Sequence, residues 1–111
     1  MESKTALAQL SALAQANRLA LFRLLIKAGR DGLPAGEIAA ALGVPPNTLS
    51  SQLTLLSHAG LIEGTRQGRS IIYKAQYEAI SGLIVFLMED CCQGRSEVYA
   101  PVLEAAQSRC C

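Results

Sequence analysis

Residues 35–60 constrain the fold of this chain more than any other stretch, because their helix breakers leave room only for two short helices. Ile38 and Leu42 recur at helical spacing on one face of the first helix, which is expected to begin at Gly36. Gly43 can end this helix, since glycine adopts the left-handed backbone conformation without steric cost. Two prolines follow, and proline does not fit a helix interior but suits the start of a new helix. The stretch therefore predicts two helices joined by a tight turn.

The second helix, which is expected to run to about Ala59, separates an apolar face from a polar one. Asn47 is expected to cap its start, because asparagine is a favoured N-cap residue. Leu49, Leu53 and Leu56 recur on one face and are expected to point inward. The other face carries short, uncharged polar side chains that are expected to point largely outward: Ser50, Ser51, Gln52 and Thr54. Two helices joined in this way form either an ordinary helical hairpin or a helix-turn-helix, whose second helix can enter the major groove of DNA.

After the helix pair the apolar periodicity changes from 3.6 residues to two, which predicts β-strands. Strands are expected over 61–66 and 69–74, with a two-residue turn at Gln67-Gly68 between them. A hairpin in this position is the wing of a winged helix. Ile71 and Tyr73 are expected to pack on the core. The tip carries side chains that can reach a phosphate backbone: Arg66, Gln67, Arg69 and Ser70.

Further helices are expected over 5–16, 18–28 and 77–92. The last of them holds one apolar stripe: Ile80, Leu83, Ile84, Leu87 and Met88. This is more apolar surface than a small core requires, and the first helix is also rich in leucine and alanine, so the two helices are expected to form a dimerisation surface. The predicted fold is mainly α with a β-hairpin. It consists of a winged helix-turn-helix domain over 1–92, which forms a homodimer through its N- and C-terminal helices, and a cysteine-bearing tail over 93–111.

Composition argues against several classes of protein. No apolar run approaches the roughly 20 residues of a membrane span, and the N-terminus lacks the layout of a signal peptide. We therefore expect a cytoplasmic protein without a membrane partner. Hydrophobic residues make up 50% of the chain and the mean hydropathy is +0.27, which again favours a second copy as partner. An enzyme is not expected, because the sequence has no convincing nucleophile–base pair and His58 is its only histidine.

The distribution of charge favours DNA binding more than the net charge of +1 does. No Asp, Glu, Lys or Arg occurs from Ile38 to Ile62, and basic residues cluster on both sides of this segment, over 18–30 and 66–74. Contacts to phosphates are therefore expected from the two flanks, while the uncharged second helix of the pair faces the bases.

Several segments resemble the ArsR/SmtB family of metal-responsive repressors: Ala16-Asn17-Arg18-Leu19, Ile38-Ala39, Leu42-Gly43, the run from Ser50 to Ile62, Gly68-Arg69 and Tyr73. The resemblance covers about residues 5–92. It implies a homodimeric transcriptional repressor that binds an imperfect palindrome in double-stranded DNA and releases it when a metal or metalloid binds. The residues that match the family's DNA contacts are Asn47, Thr48, Ser50, Ser51, Gln52 and Thr54. The family often has histidine where this chain has Gln52, and glutamine can form paired hydrogen bonds with adenine.

The chain departs from the family at both of its usual effector sites. The familiar arsenic site is a Cys-x-Cys on the first helix of the motif, where this chain has no cysteine. The zinc site needs histidine on the last helix, where this chain has none. Four cysteines remain, in two adjacent pairs: Cys91, Cys92, Cys110 and Cys111. They resemble the family members whose arsenic site lies in a vicinal pair at the end of the last helix.

The chemistry of these thiols fits such a site. Thiolates are soft ligands that select thiophilic centres. The cysteines are not spaced as CxxC, and a reducing cytoplasm argues against structural disulfides. We therefore expect As(III) to act as inducer at an arsenic-resistance operon, with Sb(III) or a methylated arsenical as alternatives. Cys91 and Cys92 would bind it, and a third thiolate would come from Cys110 or Cys111, within the chain or across the dimer.

Two other functions remain open at this point. A winged-helix repressor with a thiol redox switch would form a disulfide between the two pairs, and peroxide rather than arsenite would release its DNA. A protein-interaction module would use the winged helix for protein partners instead, and would show no salt-sensitive binding to DNA.

Overall fold

The computed structural model describes residues 1–89 and 95–108. The predicted class is confirmed, since helices and a small antiparallel sheet make up the fold. The elements in chain order are helices α1 (Ser3–Leu13) and α2 (Ala16–Ala28), a 3₁₀ turn (Gly29–Asp31), strand β1 (Leu33–Pro34), helices α3 (Ala35–Leu42) and α4 (Pro46–His58), strands β2 (Ile62–Gln67) and β3 (Ser70–Ala75), and helices α5 (Tyr77–Met88) and α6 (Ser96–Ser108).

The turn between α3 and α4 forms where the sequence predicts it. Gly43 is left-handed, with φ 66° and ψ 33°, and its N–H donates to the carbonyl of Ala39 at 2.9 Å. The prediction that Asn47 caps α4 is wrong, because the N-cap is the extended Pro45, two residues earlier, and the helix begins at Pro46. Pro46 suits this first position, since its φ is already helical and it has no N–H that needs an acceptor.

The hydrophobic core lies where α2, α3 and α4 meet the base of the hairpin. Its largest fully buried side chains come from these three helices and from the residue just before β2: Leu21, Leu25, Ile38, Leu56 and Leu61. Leu49, Leu53 and Leu56 point inward as predicted. Because one core holds both the helix pair and the hairpin, the two have a fixed relative position.

The hairpin forms the predicted wing, with small shifts in its ends. The sheet has the order β1-β3-β2, and β2 pairs with β3 in an antiparallel register that runs from Ile62–Ala75 to Gln67–Ser70. The turn lies at Gly68-Arg69, one residue later than predicted. Strand β1, which pairs Leu33 with Tyr73, was not predicted, because two residues are too few to show a period.

The hairpin packs only its base on the core. Tyr73 is partly buried against the core, as predicted. Ile71 does not pack there, since 42% of its surface is exposed. Ile71 pairs with Arg66 near the tip of the hairpin, so it extends beyond the part of the sheet that the helices cover.

Helices α1 and α5 leave large apolar side chains exposed. Helix α1 turns Ala6, Gln9 and Ala12 inward, while Leu7 and Leu10 face outward, with 67% of Leu7 exposed. Helix α5 buries only Leu83 and exposes Ile84, Val85 and Leu87. The sequence-based expectation of surplus apolar surface on these two helices is therefore confirmed.

The C-terminal segment differs from its prediction. Helix α5 ends at Met88, before the predicted end at residue 92, and residues 90–94 lie outside the described ranges, as does the predicted domain boundary. Residues 96–108 of the predicted tail form helix α6, although Pro101 lies inside it. Over residues 1–89 and 95–108, no helix is long and apolar enough to cross a bilayer.

Candidate nucleic-acid interface

Helix α4 presents an uncharged polar surface to solvent. Five of its six predicted DNA-contacting side chains are exposed: Asn47, Thr48, Ser50, Ser51 and Thr54. They lie on the first two and a half turns, which is the part of a recognition helix that approaches base edges. We refer to α4 as the recognition helix.

The hydroxyl groups on this surface donate to their own helix. Ser51 Oγ lies 3.3 Å from the carbonyls of both Asn47 and Thr48, and Thr54 Oγ1 lies 2.9 Å from the carbonyl of Ser50. A hydroxyl oxygen that donates one hydrogen bond keeps two lone pairs as acceptors. In this conformation the two hydroxyls therefore offer acceptors to the amino groups of adenine or cytosine.

Gln52 is the exception among the recognition residues. Only 6% of its surface is exposed, so the expectation that it points outward is wrong. With Leu49, Leu53 and Leu56 it completes the spacing i, i+3, i+4, i+7, which is the inward stripe of a helix. Its Oε1 is buried and has no hydrogen-bond partner among the described residues. Its contact with adenine stays a prediction, and that contact needs the side chain to leave this position.

The tip of the wing supplies positive charge. The predicted tip residues are all exposed: Arg66, Gln67, Arg69 and Ser70. Arg66 Nε donates to the carbonyl of Gly68 at 3.3 Å, which holds the guanidinium over the turn. A guanidinium has five N–H groups, so four remain on Arg66 to bind a phosphate. The wing therefore provides charged groups, whereas the recognition helix provides neutral polar groups.

A groove brings the recognition helix and the wing together. It has a volume of about 380 Å³, and Ser50 of α4 lines it together with Arg69, Ser70 and Tyr73 of the hairpin. The N-terminal residues of α3, Ala35 and Gly36, line the same groove. Polar groups for bases and a cation for phosphates thus share one side of the molecule, which is the division of roles expected in a protein–DNA interface.

One buried polar residue linking α1 to the recognition helix was missed in the sequence. Gln9 is 3% exposed, and its Nε2 donates to the carbonyl of Ala59, just beyond the end of α4, at 3.4 Å. The sequence signal that could have found Gln9 is its position three residues from both Ala6 and Ala12, the other two residues of the inward face of α1.

The predicted effector site cannot be placed in the fold. Cys91, Cys92, Cys110 and Cys111 all lie outside the described residues. Over 1–89 and 95–108, no three side chains of His, Cys, Asp or Glu are grouped so that they could hold a metal ion.

Comparison with known proteins identifies the module. A helix-turn-helix domain model matches residues 13–65. The transcriptional regulator NmtR of Mycobacterium tuberculosis is 42% identical over 65 residues, which are 58% of this chain and 51% of NmtR. The match thus spans about half the length of that relative.

Solved structures extend the comparison to the whole fold. The ArsR-like transcriptional regulator from Rhodococcus sp. RHA1 superposes with a TM-score of 0.70 over 95% of each chain, at 23% identity. The homodimeric winged helix-turn-helix DNA-binding domain of Mb0332 from Mycobacterium bovis, a possible ArsR-family transcriptional regulator, superposes with a TM-score of 0.64 over 76% of each chain, at 25% identity.

The chain has the winged helix-turn-helix fold of these regulators. These comparisons support the resemblance to ArsR-family regulators that the sequence indicates. The related proteins are transcriptional regulators rather than enzymes, in agreement with the expectation that this chain does not catalyse a reaction.

Proposed function

We propose that this protein is a homodimeric transcriptional repressor whose recognition helix and wing bind operator DNA, and which trivalent arsenic releases by binding cysteine thiolates. The DNA-binding part of this proposal rests on the observation that α4 and the wing lie on the same side of the molecule. There, the exposed Ser50 of α4 and Arg69 of the wing line the same groove. Neutral groups read base edges and arginines hold phosphates.

The homodimer is supported by the apolar surface that α1 and α5 expose. Leu7, Ile84, Val85 and Leu87 have no role in the core of their own chain. A contiguous apolar surface of this kind marks a protein interface. A two-fold dimer places two recognition helices so that they read two half-sites one helical turn apart, which is why such proteins bind palindromes.

The choice of arsenic is supported by the donor set. Cys91 and Cys92 offer two adjacent thiolates, and Cys110 or Cys111 offers a third. Soft thiolates favour thiophilic centres over magnesium, calcium or manganese. Sb(III) and methylated arsenicals share this preference for thiolates and belong to the same proposal.

Release of DNA needs a link between the effector and the recognition helix. The bond from Gln9 to Ala59 ties α1, part of the proposed dimer surface, to the end of α4. A change in how the subunits pack can therefore move α4. An effector acts only through its differential affinity for the two states, and a coupling of about 3 kcal/mol weakens DNA binding about 150-fold.

Fluorescence anisotropy of a labelled duplex from the region upstream of the gene tests this proposal. We expect the fully reduced protein to bind the duplex and arsenite to release it. The double variant Cys91→Ser/Cys92→Ser should bind DNA as tightly as the wild type but stay bound in arsenite. The matched double variant Cys110→Ser/Cys111→Ser should need more arsenite for release, because one ligand is lost.

The other outcomes are equally informative. Release of the Cys91→Ser/Cys92→Ser variant by arsenite would show that the effector site is elsewhere. Release by peroxide and not by arsenite would replace the metalloid sensor with a redox switch. Failure of the reduced wild type to bind any upstream duplex would overturn the assignment of α4 and the wing as a DNA interface.

A further inference from the structure

Ile71 is an exposed apolar side chain next to the polar tip of the wing. It leaves 42% of its surface exposed, although the sequence predicts that it packs on the core. A single exposed apolar residue needs no explanation by itself, since most of a protein's surface comes from apolar atoms. The position of Ile71 does need one, because this side chain lies between the two elements of the proposed DNA interface.

Ile71 borders the groove between the recognition helix and the wing. Successive side chains of a strand point to opposite faces of the sheet, so Ile71 shares a face with Tyr73, and both residues line the groove. Gly64 on the neighbouring strand leaves room for them, because a Cβ at this position would lie 3.0 Å from Ile71 Cγ2 and 2.9 Å from Tyr73 Cε1. Ile71 and Tyr73 thus lie side by side and give the groove an apolar wall.

The same groove also carries a cation and hydroxyl groups. Arg69 and Ser70 line it beside Ile71, and Ser50 lines it from the recognition helix. Arg66, which is exposed, is the cross-strand neighbour of Ile71. Among the described residues that line the groove, none is acidic. The groove therefore suits a ligand that is anionic in one part and apolar in the next.

The backbone of DNA has this alternating chemistry, since each anionic phosphate is joined to a deoxyribose with an apolar C2′ methylene. In a duplex, one backbone strand separates the major groove from the adjacent minor groove. If α4 lies in the major groove, the strand at the edge of that groove runs between α4 and the element beside it, which here is the wing. The bases lie at the floor of a groove about 8.5 Å deep, so they face α4 rather than the wing.

We propose that Ile71 packs on a deoxyribose of the backbone strand that lies between the recognition helix and the wing, while Arg69 binds a phosphate of the same strand. The proposal rests on the DNA-binding function proposed above and adds an uncharged residue to that interface. Contacts to sugars and phosphates position a protein on the duplex and carry no sequence information. Ile71 therefore strengthens binding to every duplex sequence alike.

Anisotropy titrations of an upstream duplex at several salt concentrations test the contribution of Ile71. We expect Ile71→Ala to raise the dissociation constant about tenfold, which corresponds to about 1.4 kcal/mol. The slope of log K against log[salt] should stay that of the wild type, because the substitution removes no charge.

Ile72→Ala is the matched control, because Ile72 is the next residue of β3 and lies on the opposite face of the hairpin. Ile72 is also less exposed than Ile71, so a general loosening of the hairpin should affect this variant at least as much. We expect its dissociation constant to stay within twofold of the wild type. Circular dichroism should show both variants folded.

Single ribonucleotides placed at successive positions of the duplex locate the sugar that Ile71 contacts. A 2′-hydroxyl adds a polar group to the face of the sugar that Ile71 covers. At the contacted position we expect the wild type to lose about fivefold in affinity and Ile71→Ala to lose less than twofold. Measuring both proteins on both duplexes separates this contact from any effect of the ribonucleotide on the duplex itself.

Several results would overturn the sugar contact. One is an unchanged affinity for Ile71→Ala, another is an equal loss in Ile72→Ala, and a third is a ribonucleotide effect that is the same with and without Ile71. Replacing every thymine by deoxyuridine removes only methyl groups, so if this abolished the difference between the wild type and Ile71→Ala, Ile71 would contact a thymine instead. Failure of the wild type to bind any upstream duplex would overturn the proposed function, and the sugar contact with it.

Discussion

At the scale of single residues, Gln52 shows how a polar side chain on the recognition helix can be buried at a cost. Its Oε1 lacks a hydrogen-bond partner among the described residues, and such a group costs about 1–3 kcal/mol. We therefore expect Gln52→Leu, which has similar volume and no polar atom, to raise the free energy of unfolding by about 1–2 kcal/mol. Urea denaturation of the purified protein measures this change.

Gln67→Leu is the matched control, because Gln67 is exposed at the wing and the same substitution should change stability by less than about 0.5 kcal/mol. A lower stability for Gln52→Leu would mean that bound water or another group satisfies the buried oxygen. Weaker DNA binding by a more stable Gln52→Leu protein would show that the side chain leaves its buried position to meet a base.

At the scale of elements, the proposed DNA interface has its charged side chains on the wing and its neutral polar side chains on the recognition helix. If Arg66 and Arg69 each neutralise one phosphate, Arg66→Ala/Arg69→Ala should reduce the slope of log K against log[salt] by about 1.8 per subunit bound. Anisotropy titrations at several salt concentrations give this slope. Arg95→Ala is the control, since Arg95 is exposed and lies outside both basic clusters that are expected to contact phosphates. An unchanged slope in the wing variant would remove the arginines from the interface.

The same scale shows what the sequence can and cannot predict. The helix pair and the wing are predictable, because periodicity, Gly43 and the prolines are local signals. The inward face of α1 is harder to predict, because the buried Ala6, Gln9 and Ala12 are less hydrophobic than the leucines that this helix exposes. Helix α6 is not predictable from local sequence signals, because Pro101 in its interior is normally a helix breaker. Of the candidate site, the exposed polar positions follow from the pattern, whereas the burial of Gln52 depends on packing.

At the scale of the whole molecule, dimerisation and DNA binding should be lost together. Ile84 is exposed on α5, so Ile84→Asp should leave the subunit folded but place a charge in the proposed dimer surface. We expect the dimer dissociation constant to rise about 100-fold, which corresponds to about 2.7 kcal/mol. The variant should then bind a full palindrome no more tightly than a half-site.

Sedimentation equilibrium and anisotropy on both duplexes measure these two effects. Ala20→Asp adds the same charge to an exposed position on α2 and should keep the preference of the wild type for the palindrome. A dimeric Ile84→Asp protein would move the interface away from α5.

Within residues 1–89 and 95–108, the sheet order β1-β3-β2 leaves one side of β2 without a neighbouring strand. Such an open edge can recruit a strand from another molecule and start aggregation. Here β2 opposes this, because five of its six residues are exposed and it carries both Glu63 and Arg66. The ring of Tyr73 lies over Gly64 on one face, and Glu63 pairs with Lys74 across the strands. We therefore expect β2 not to pair with a strand of another molecule at high protein concentration. Contacts between copies of the chain are then made by the helices.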